Sequence, residues 1–306
     1  MKNNDSRATA GPDRTFDCLI IGAGPGGLQA AIYLGRFSRD VVLIDRGGGR
    51  TAHAQAIENF LTWKALSGKE LIARGLEQAR SFNVSIEKGL VDSLVKKEHF
   101  EASAGTRVFR AKFAILSSGV YDHLPKIENI YKFLGTSFFT CVDCDGYKTR
   151  GKKLVVIGNT IESVRLAAAM QEMYTDDVTL VLYFYEPPAD YREELESRGI
   201  RLVNGEPAAL IGGASVEALE LKDGTRIACQ AVMSNFGYKL NDQYLKELSP
   251  KRDARGFKFV VNSAFESSVN GLYIVGPLNT GNDQSIIAAG EGAVAAIDIN
   301  KRLFEF

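Results

Sequence analysis

The residues of this chain best suited to chemistry are two cysteines two residues apart, in Cys141-Val142-Asp143-Cys144-Asp145-Gly146. A disulfide across that spacing closes a small loop and removes little entropy from the unfolded chain. It therefore adds little stability, which suits a bond that opens and closes. The thiolate is the attacking species in such exchange, so a neighbouring proton acceptor is useful, and Asp145 directly follows the second cysteine. Asp145 also reads as the turn residue of an Asp-Gly pair with Gly146. Asp143 adds a further carboxylate, and two such charges close to the sulfurs disfavour thiolates. Half of a zinc site is the alternative use of the pair. Tetrahedral zinc needs a second pair at ligand spacing, and Cys18, Cys229, His53, His99 and His123 are scattered singly.

The elements that must position this pair are strands and helices of a repeated kind. The apolar run from Phe16 to Ile21 reads as a buried parallel strand. It leads into Gly22-Ala23-Gly24-Pro25-Gly26-Gly27 and a helical stretch from Leu28 to Phe37, and a second strand, Val41 to Ile44, ends at Asp45. Strand, glycine turn, helix and a following acid make the full dinucleotide fingerprint. In that reading Gly22 makes the tight turn, Gly24 admits a pyrophosphate, Gly27 lets helix pack on strand, and the helix N-terminus supplies free N–H groups. Asp45 would accept hydrogen bonds from a ribose diol. The plainer alternative is a glycine-rich turn with no ligand.

A second unit begins at Lys153. The strand Leu154 to Ile157 runs into Gly158-Asn159-Thr160-Ile161-Glu162-Ser163, a helical run from Val164 to Met173, and a strand from Val178 to Tyr185. The spacing of Gly22 and Gly158 suggests one module used twice. From Pro250 the chain returns to the first unit, with a strand from Gly271 to Gly276 and a helix from Gln284 to Ala296.

The bulk numbers agree with this organisation. A length of 306 residues predicts about two domains, and 45% apolar and 24% charged residues are ordinary for a soluble globular protein. Lys plus Arg equals Asp plus Glu at 37 each, so net charge recruits neither nucleic acid nor an anionic membrane. Four cysteines make no disulfide framework, and the chain reads as intracellular and cytoplasmic. Residues 1–14 are polar without a signal-peptide core and read as a disordered tail. No run reaches the length of about 18 apolar residues that spans a bilayer.

Taken together, the first unit, the CxxC motif and the C-terminal segment resemble the low-molecular-weight thioredoxin reductase family of flavoproteins. The Cys-x-x-Cys-Asp-Gly hexapeptide lies at the family's distance before the second strand. Ile57-Glu58-Asn59-Phe60 matches where that family has an Asn beside the flavin ring, and Ser117-Ser118-Gly119 matches its crossing between domains. The similarity covers most of Thr15 to Leu303. It implies an α/β fold of two Rossmann-like domains, the second inserted in the first: an FAD-binding domain over 15–118 and 250–306, and an inserted unit over 119–249. It implies an FAD site at Gly22, Gly24, Pro25, Gly27, Asp45, Arg50, Asn59, Gly119, Gly276, Gln284 and Ser285. It further implies that Cys144 lies against the flavin, that Cys141 exchanges with an outside dithiol or disulfide such as a thioredoxin-like protein, that Asp145 moves protons, and that the protein is a homodimer.

The chain departs from that family where the family binds NADPH. Of the glycine-rich turn only Gly158 survives, and Asn159 and Thr160 would crowd a pyrophosphate. The strand that ends at the family's His-Arg-Arg cluster ends here in Tyr183-Phe184-Tyr185-Glu186-Pro187. A 2′-phosphate needs cationic partners, so NADPH is not expected. The three rings would stack a flat heterocycle such as a second FAD, or are simply good strand residues. The family's ribityl-binding Asp is replaced by Pro277, while Asp283-Gln284-Ser285 resembles its Arg-Gln-Ala segment. The branch that fits best is a diflavin-linked disulfide oxidoreductase. The rival readings are a ferredoxin-linked flavin thioredoxin reductase, a small-molecule dithiol oxidase using oxygen, and a non-catalytic redox sensor. At the C-terminus, Phe304 and Phe306 would pack over a flavin, in a dimer seam, or at an ordinary helix end.

Overall fold

The computed structural model describes residues 14–245 and 247–304. Residues 1–13 of the expected tail, and Phe306, lie outside the described residues. Arg14, assigned to that tail from sequence, is anchored: its guanidinium pairs with Asp40 at 2.6 Å and covers the Phe16 ring at 4.5 Å.

In chain order the elements begin β1 (Thr15–Ile21), α1 (Pro25–Arg36), β2 (Val41–Asp45), α2 (Gly68–Ser81), β3 (Ser85–Lys88), β4 (Ser93–Lys96), β5 (Phe100–Ala104) and β6 (Arg107–Leu116). They continue with β7 (Val120–Asp122), α3 (Ile130–Phe133), β8 (Phe138–Phe139), α4 (Val142–Asp145), β9 (Leu154–Gly158), α5 (Ile161–Met173), β10 (Val178–Leu182), α6 (Ala189–Ser197) and β11 (Arg201–Asn204). The remainder is β12 (Pro207–Ile211), β13 (Ala218–Leu221), β14 (Arg226–Ala228), β15 (Ala231–Asn235), β16 (Tyr238–Leu240), β17 (Leu272–Ile274) and α7 (Ser285–Arg302).

The chain forms two compact units. One holds the residues up to Ala54, Asn59–Tyr121 and those from Leu240 onward; the other holds Gln55–Glu58 and Asp122–Lys239. The divisions thus fall at Tyr121 and Leu240, whereas the sequence suggested Ser118 and Pro250. The reason is local bonding in the first unit: Ser118 Oγ donates to Asn241 O at 2.6 Å, and Leu94 N–H donates to Tyr244 O at 2.9 Å.

The first unit is built on a sheet of order β3-β2-β1-β6-β5-β4, with β17 also paired to β6. Strands β3, β2, β1, β6 and β17 pair in parallel, while β4 and β5 add antiparallel pairs. Ile21 pairs with both Ile44 and Leu116, so the ends of β1, β2 and β6 are level. That register brings the glycine turn, Asp45 and Ser117 to one sheet edge, the usual place for ligands in open α/β sheets. Pro25 opens α1 at a position where its missing N–H costs nothing. Helix α7 closes on α1 at Gly292, where a Cβ would stand 2.0 Å from Gly26 O.

The second unit has a parallel sheet of order β11-β10-β9-β15-β8 and an antiparallel sheet β12-β13-β14. Separate apolar clusters, one around Phe138, Val155 and Leu219 and one around Val156, Met170 and Leu195, supply its core. Gly158 pairs with both Leu182 and Asn235, which sets Tyr183 and Phe236 just beyond one edge. Strand β10 stops at Leu182 instead of reaching Tyr185: Tyr183 N–H turns to Gly158 O at 3.3 Å, and Phe184 takes a left-handed φ of +54°.

Candidate functional site

A cavity of about 420 Å³ opens at the level strand ends of the first unit. Of the residues proposed from sequence, Gly22, Gly24, Pro25, Asp45, Arg50, Gly119, Gly276, Gln284 and Ser285 line it. Gly27 stands behind the lining, and Asn59 reaches the rim through a 3.0 Å bond from Nδ2 to Gln284 Oε1.

The glycines of the turn have separable causes. A Cβ on Gly22, whose φ is +102°, would stand 2.3 Å from Ser117 O, and one on Gly27 would stand 2.0 Å from Gly22 O. Protein packing alone therefore demands glycine at both. At Gly24 φ is −70°, open to any residue, and a Cβ would meet only Ser117, its O at 3.7 Å. Among the described residues nothing fills the space that Gly24 leaves at the N-terminus of α1, where the helix dipole favours a phosphate, although Gly27 N–H is already taken by Ser117 Oγ at 2.8 Å. Asp45 is already engaged: its oxygens accept from Ala23 N–H at 2.9 Å and Gly47 N–H at 2.7 Å. The cradle thus fits the pyrophosphate of a dinucleotide.

Sequence reasoning did not anticipate Asn241, Gln243 and Tyr244, which also line the cavity. They come from a loop far along the chain with no motif of its own. Tyr244 is held by Ser118 Oγ at 2.8 Å, and burial raises the pKa of its phenol.

The opposite wall rests on buried polar groups. Gly276 N–H and Asn279 Nδ2 both donate to Glu291 Oε2, at 2.5 and 2.8 Å. Lys258, only 9% exposed, donates to Asp283 Oδ1 at 2.7 Å and to Gly281 O at 3.1 Å. This network fixes the loop from Gly276 to Ser285, in which Pro277 stands where a ribityl-binding Asp was expected from resemblance.

In the second unit Cys141 and Cys144 form a disulfide with Cα atoms 5.3 Å apart. Cys141 precedes the one-turn helix α4, and Asp145 N–H closes that turn on Cys141 O at 3.1 Å. Gly146 follows because a Cβ there would run into the Tyr174 ring at 2.7 Å. Both sulfur-bearing residues are half-buried, and Asp143 is exposed. Asp145 Oδ1 accepts from Lys148 Nζ at 2.8 Å, and the same ammonium lies 3.0 Å from Glu58 Oε2, which also accepts from Tyr147 OH. Burial pulls the Lys148 pKa down, but its bonds to Asp145 and Glu58 outweigh that and leave it raised. The Tyr147 and Lys148 hydrogen bonds hold Glu58 below the usual carboxylate range. Neither Glu58 nor Lys148 has a role that sequence alone assigns: Glu58 lies in the matched stretch 57–60 only as the neighbour of Asn59, and Lys148 belongs to no motif. The other two cysteines are buried; burial pushes Cys229 up to about 12 and raises Cys18 well above its usual value.

At the second unit's sheet edge, Gly158 is explained by packing: a Cβ would stand 1.9 Å from Ser163 Oγ and 2.8 Å from Asn235 O. Asn159 is half-buried and Thr160 exposed, and Thr160 caps α5 without a side-chain hydrogen bond. The three rings proposed from sequence separate. Tyr183 lies against Phe184 and Phe236, at centroid distances of 5.1 and 5.5 Å, while Phe184 is 86% exposed. Tyr185 instead packs on the core cluster that includes Leu182 and Leu195, so it does not share the ring cluster and Phe236 does. Strand β10 ends at Leu182, so Tyr185 does not continue its alternation beside Tyr183.

Residues 16–293 match the family described as pyridine nucleotide-disulphide oxidoreductase. The chain is 29% identical over 297 residues to an NADH dehydrogenase of Bacillus subtilis (strain 168), covering 92% of this chain and 57% of that protein. It is 24% identical over 309 residues to thioredoxin reductase of the same organism, covering 93% of each. The chain thus spans little more than half of the first relative and nearly all of the second. Among solved structures, a putative thioredoxin reductase TrxB from Bacillus anthracis superposes with a TM-score of 0.87 at 25% identity, over 94% of this chain and 98% of that one. No helix among the described residues is long and apolar enough to cross a membrane. With a family match that runs through both units and a likeness in three dimensions over nearly its whole length, this chain belongs to the pyridine nucleotide-disulphide oxidoreductase family, on its thioredoxin reductase-like side.

Proposed function

We propose that this protein is an FAD-dependent disulfide oxidoreductase that exchanges two electrons between its Cys141–Cys144 pair and bound flavin, with a dithiol or disulfide as outside partner. The observation that carries the reading is the Cys141–Cys144 disulfide, half-buried beside a carboxylate and distinct from two inert, buried thiols. Gly24 and the α1 N-terminus would receive the pyrophosphate, Asp45 a ribose, and Gln284 and Ser285 the ring end. Bound FAD supplies a two-electron carrier to this chemistry.

The chain's own residues perform the thiol steps. One thiolate of an outside dithiol attacks Cys141 Sγ; the S–S bond breaks and Cys144 leaves as a thiolate. The second outside thiol, once deprotonated, attacks the mixed disulfide and releases Cys141. The outside dithiol has lost two electrons and become a disulfide, and its two protons end on the cysteine pair. Asp145 stands next to Cys144 to carry one of them. The same residues run the reverse direction, because relative potentials decide it. A thioredoxin-like protein is the partner class suggested by the likeness to thioredoxin reductases.

In the finer reading, the second unit has no use for NADPH and holds a second FAD. Gly158 serves packing, so the turn has no spare glycine of the Gly24 kind, and the strand end carries rings and Glu186, whose carboxylate already holds the Arg192 guanidinium at 3.2 Å. The exposed Phe184 ring offers a face on which a flat heterocycle would stack, with Tyr183 set edge-on to it at 60°.

The test is an anaerobic titration of the purified protein with a dithiol, NADPH, NADH and reduced ferredoxin, following visible absorbance, with flavin counted after acid release. Bleaching by dithiol and two flavins per chain are expected. Equal bleaching by dithiol in a Cys141→Ser, Cys144→Ser variant would sink the disulfide reading. Stoichiometric bleaching by NADPH or NADH, or one flavin per chain, would remove the finer one, and ferredoxin bleaching would point to a different donor.

A further inference from the structure

Lys148 lies three residues beyond Asp145 and four beyond Cys144, and its ammonium bridges two carboxylates that come from different parts of the chain. The segment that carries the sulfurs is rich in negative charge. Asp143 and Asp145 flank Cys144 on α4, and Glu58 approaches from residues 55–58. A carboxylate near a thiol disfavours its ionised form, and a cation favours it. Also against this segment are the Tyr147 phenol, which donates to Glu58, and the Tyr174 ring, which closes over Gly146. Arg150, further along, is exposed.

We propose that Lys148 is a positioning residue of the thiol chemistry: clamped between Asp145 and Glu58, it holds the Asp145 carboxylate in place and offsets the acid charge that would otherwise suppress thiolate formation at the reduced Cys141/Cys144 pair. The bridge is half-buried, with Lys148, Asp145 and Glu58 side chains 21%, 20% and 33% exposed, so it is screened less than a free surface pair. Tyr147 completes it, since its hydrogen bond fixes the Glu58 oxygen on which Lys148 rests. A cysteine pair followed by an acid needs a counter-charge if its thiols are to ionise near neutral pH. Lys148 is the cation hydrogen-bonded to that acid.

The inference rests on the reading of Cys141 and Cys144 as a working pair, but its test does not depend on flavin turnover. The reduced, flavin-loaded protein is treated with iodoacetamide across a range of pH, and alkylation of Cys141 and Cys144 is followed by peptide mass. In Lys148→Met the inflection should rise by about one pH unit, with a roughly tenfold lower rate below it. Lys148→Arg should restore the wild-type profile, and Glu58→Gln in the Lys148→Met background should recover part of the shift. If Lys148 merely held the turn together, Lys148→Met would lower the unfolding midpoint and leave the pH profile in place; that result, or failure of Arg to rescue, overturns the proposal. Should Lys148→Met not fold, an Arg profile unlike wild type, or a Glu58→Gln single variant with an unmoved inflection, overturns it equally. A normal shift without flavin bleaching by dithiol would instead reject the oxidoreductase reading and leave this one standing.

Discussion

A methyl group at Gly27 would stand 2.0 Å from the Gly22 carbonyl oxygen, whereas one at Gly24 would meet nothing nearer than 3.7 Å. The two glycines of one turn therefore answer to different demands, the first to helix-on-strand packing and the second to whatever enters the cavity. Gly27→Ala should destabilise the apoprotein by about 3 kcal/mol, because backbone cannot yield as a side-chain tip can. Gly24→Ala should change apoprotein stability by about 1 kcal/mol or less, the difference between Gly and Ala at a helix N-cap, and yet weaken FAD binding. Urea unfolding of the apoprotein and fluorescence titration with FAD separate the two effects. Equal FAD affinity in Gly24→Ala and wild type would mean that the pyrophosphate lies elsewhere. At this scale the sequence was informative about which residues matter and poor about why. The fingerprint picks out Gly22, Gly24 and Gly27 alike, and only the distances assign each its cause.

Among the elements, β1, the glycine turn, α1 and β2 were legible because hydrophobic run, glycine spacing and terminal acid reinforce one another over a short stretch. The loop from Gly276 to Ser285 was not, since its support comes from Lys258 and Glu291, which sit outside it and carry no pattern. The end of β10 was misread for a related reason: Phe184 adopts a left-handed backbone that a β-favouring residue does not announce. Glu291 makes the loop's support testable. Burial raises its carboxyl above a glutamate's usual 4.5, against hydrogen bonds from Gly276 and Asn279 that favour the anion. The folded chain then keeps this proton to higher pH than the unfolded chain does. Stability contributed here should fall as pH rises from 4.5 through the raised value, and level off above it. Glu291→Gln should flatten that slope in urea unfolding above pH 4.5. A slope unchanged by the substitution would place the titration in another group.

The molecule as a whole consists of two units with separate cores, and the duplicated strand-turn-helix pattern was enough to expect both. Their boundaries were less legible, because Asn241 and Tyr244 are tied to the first unit through their backbone carbonyls and through side-chain bonds to Ser118, none of which forms a pattern along the chain. The cavity belongs to the first unit alone, so FAD should stabilise that unit selectively. Calorimetry of the apoprotein should show two transitions, and FAD at about a hundred times its dissociation constant should add about 2.7 kcal/mol to one of them. Equal movement of both transitions would show that the units unfold as one. The separation of the sulfur atoms has its own outcome. Cys18 and Cys229 are sealed in the cores as un-ionised thiols, and oxidants act on thiolates. Of the four cysteines, the pair at positions 141 and 144 is therefore the one open to overoxidation, and in the closed disulfide neither sulfur presents the thiolate from which sulfinic and sulfonic acids grow. The disulfide form is thus the one protected from cysteine overoxidation, and a chain oxidised that far should need a reductant rather than replacement.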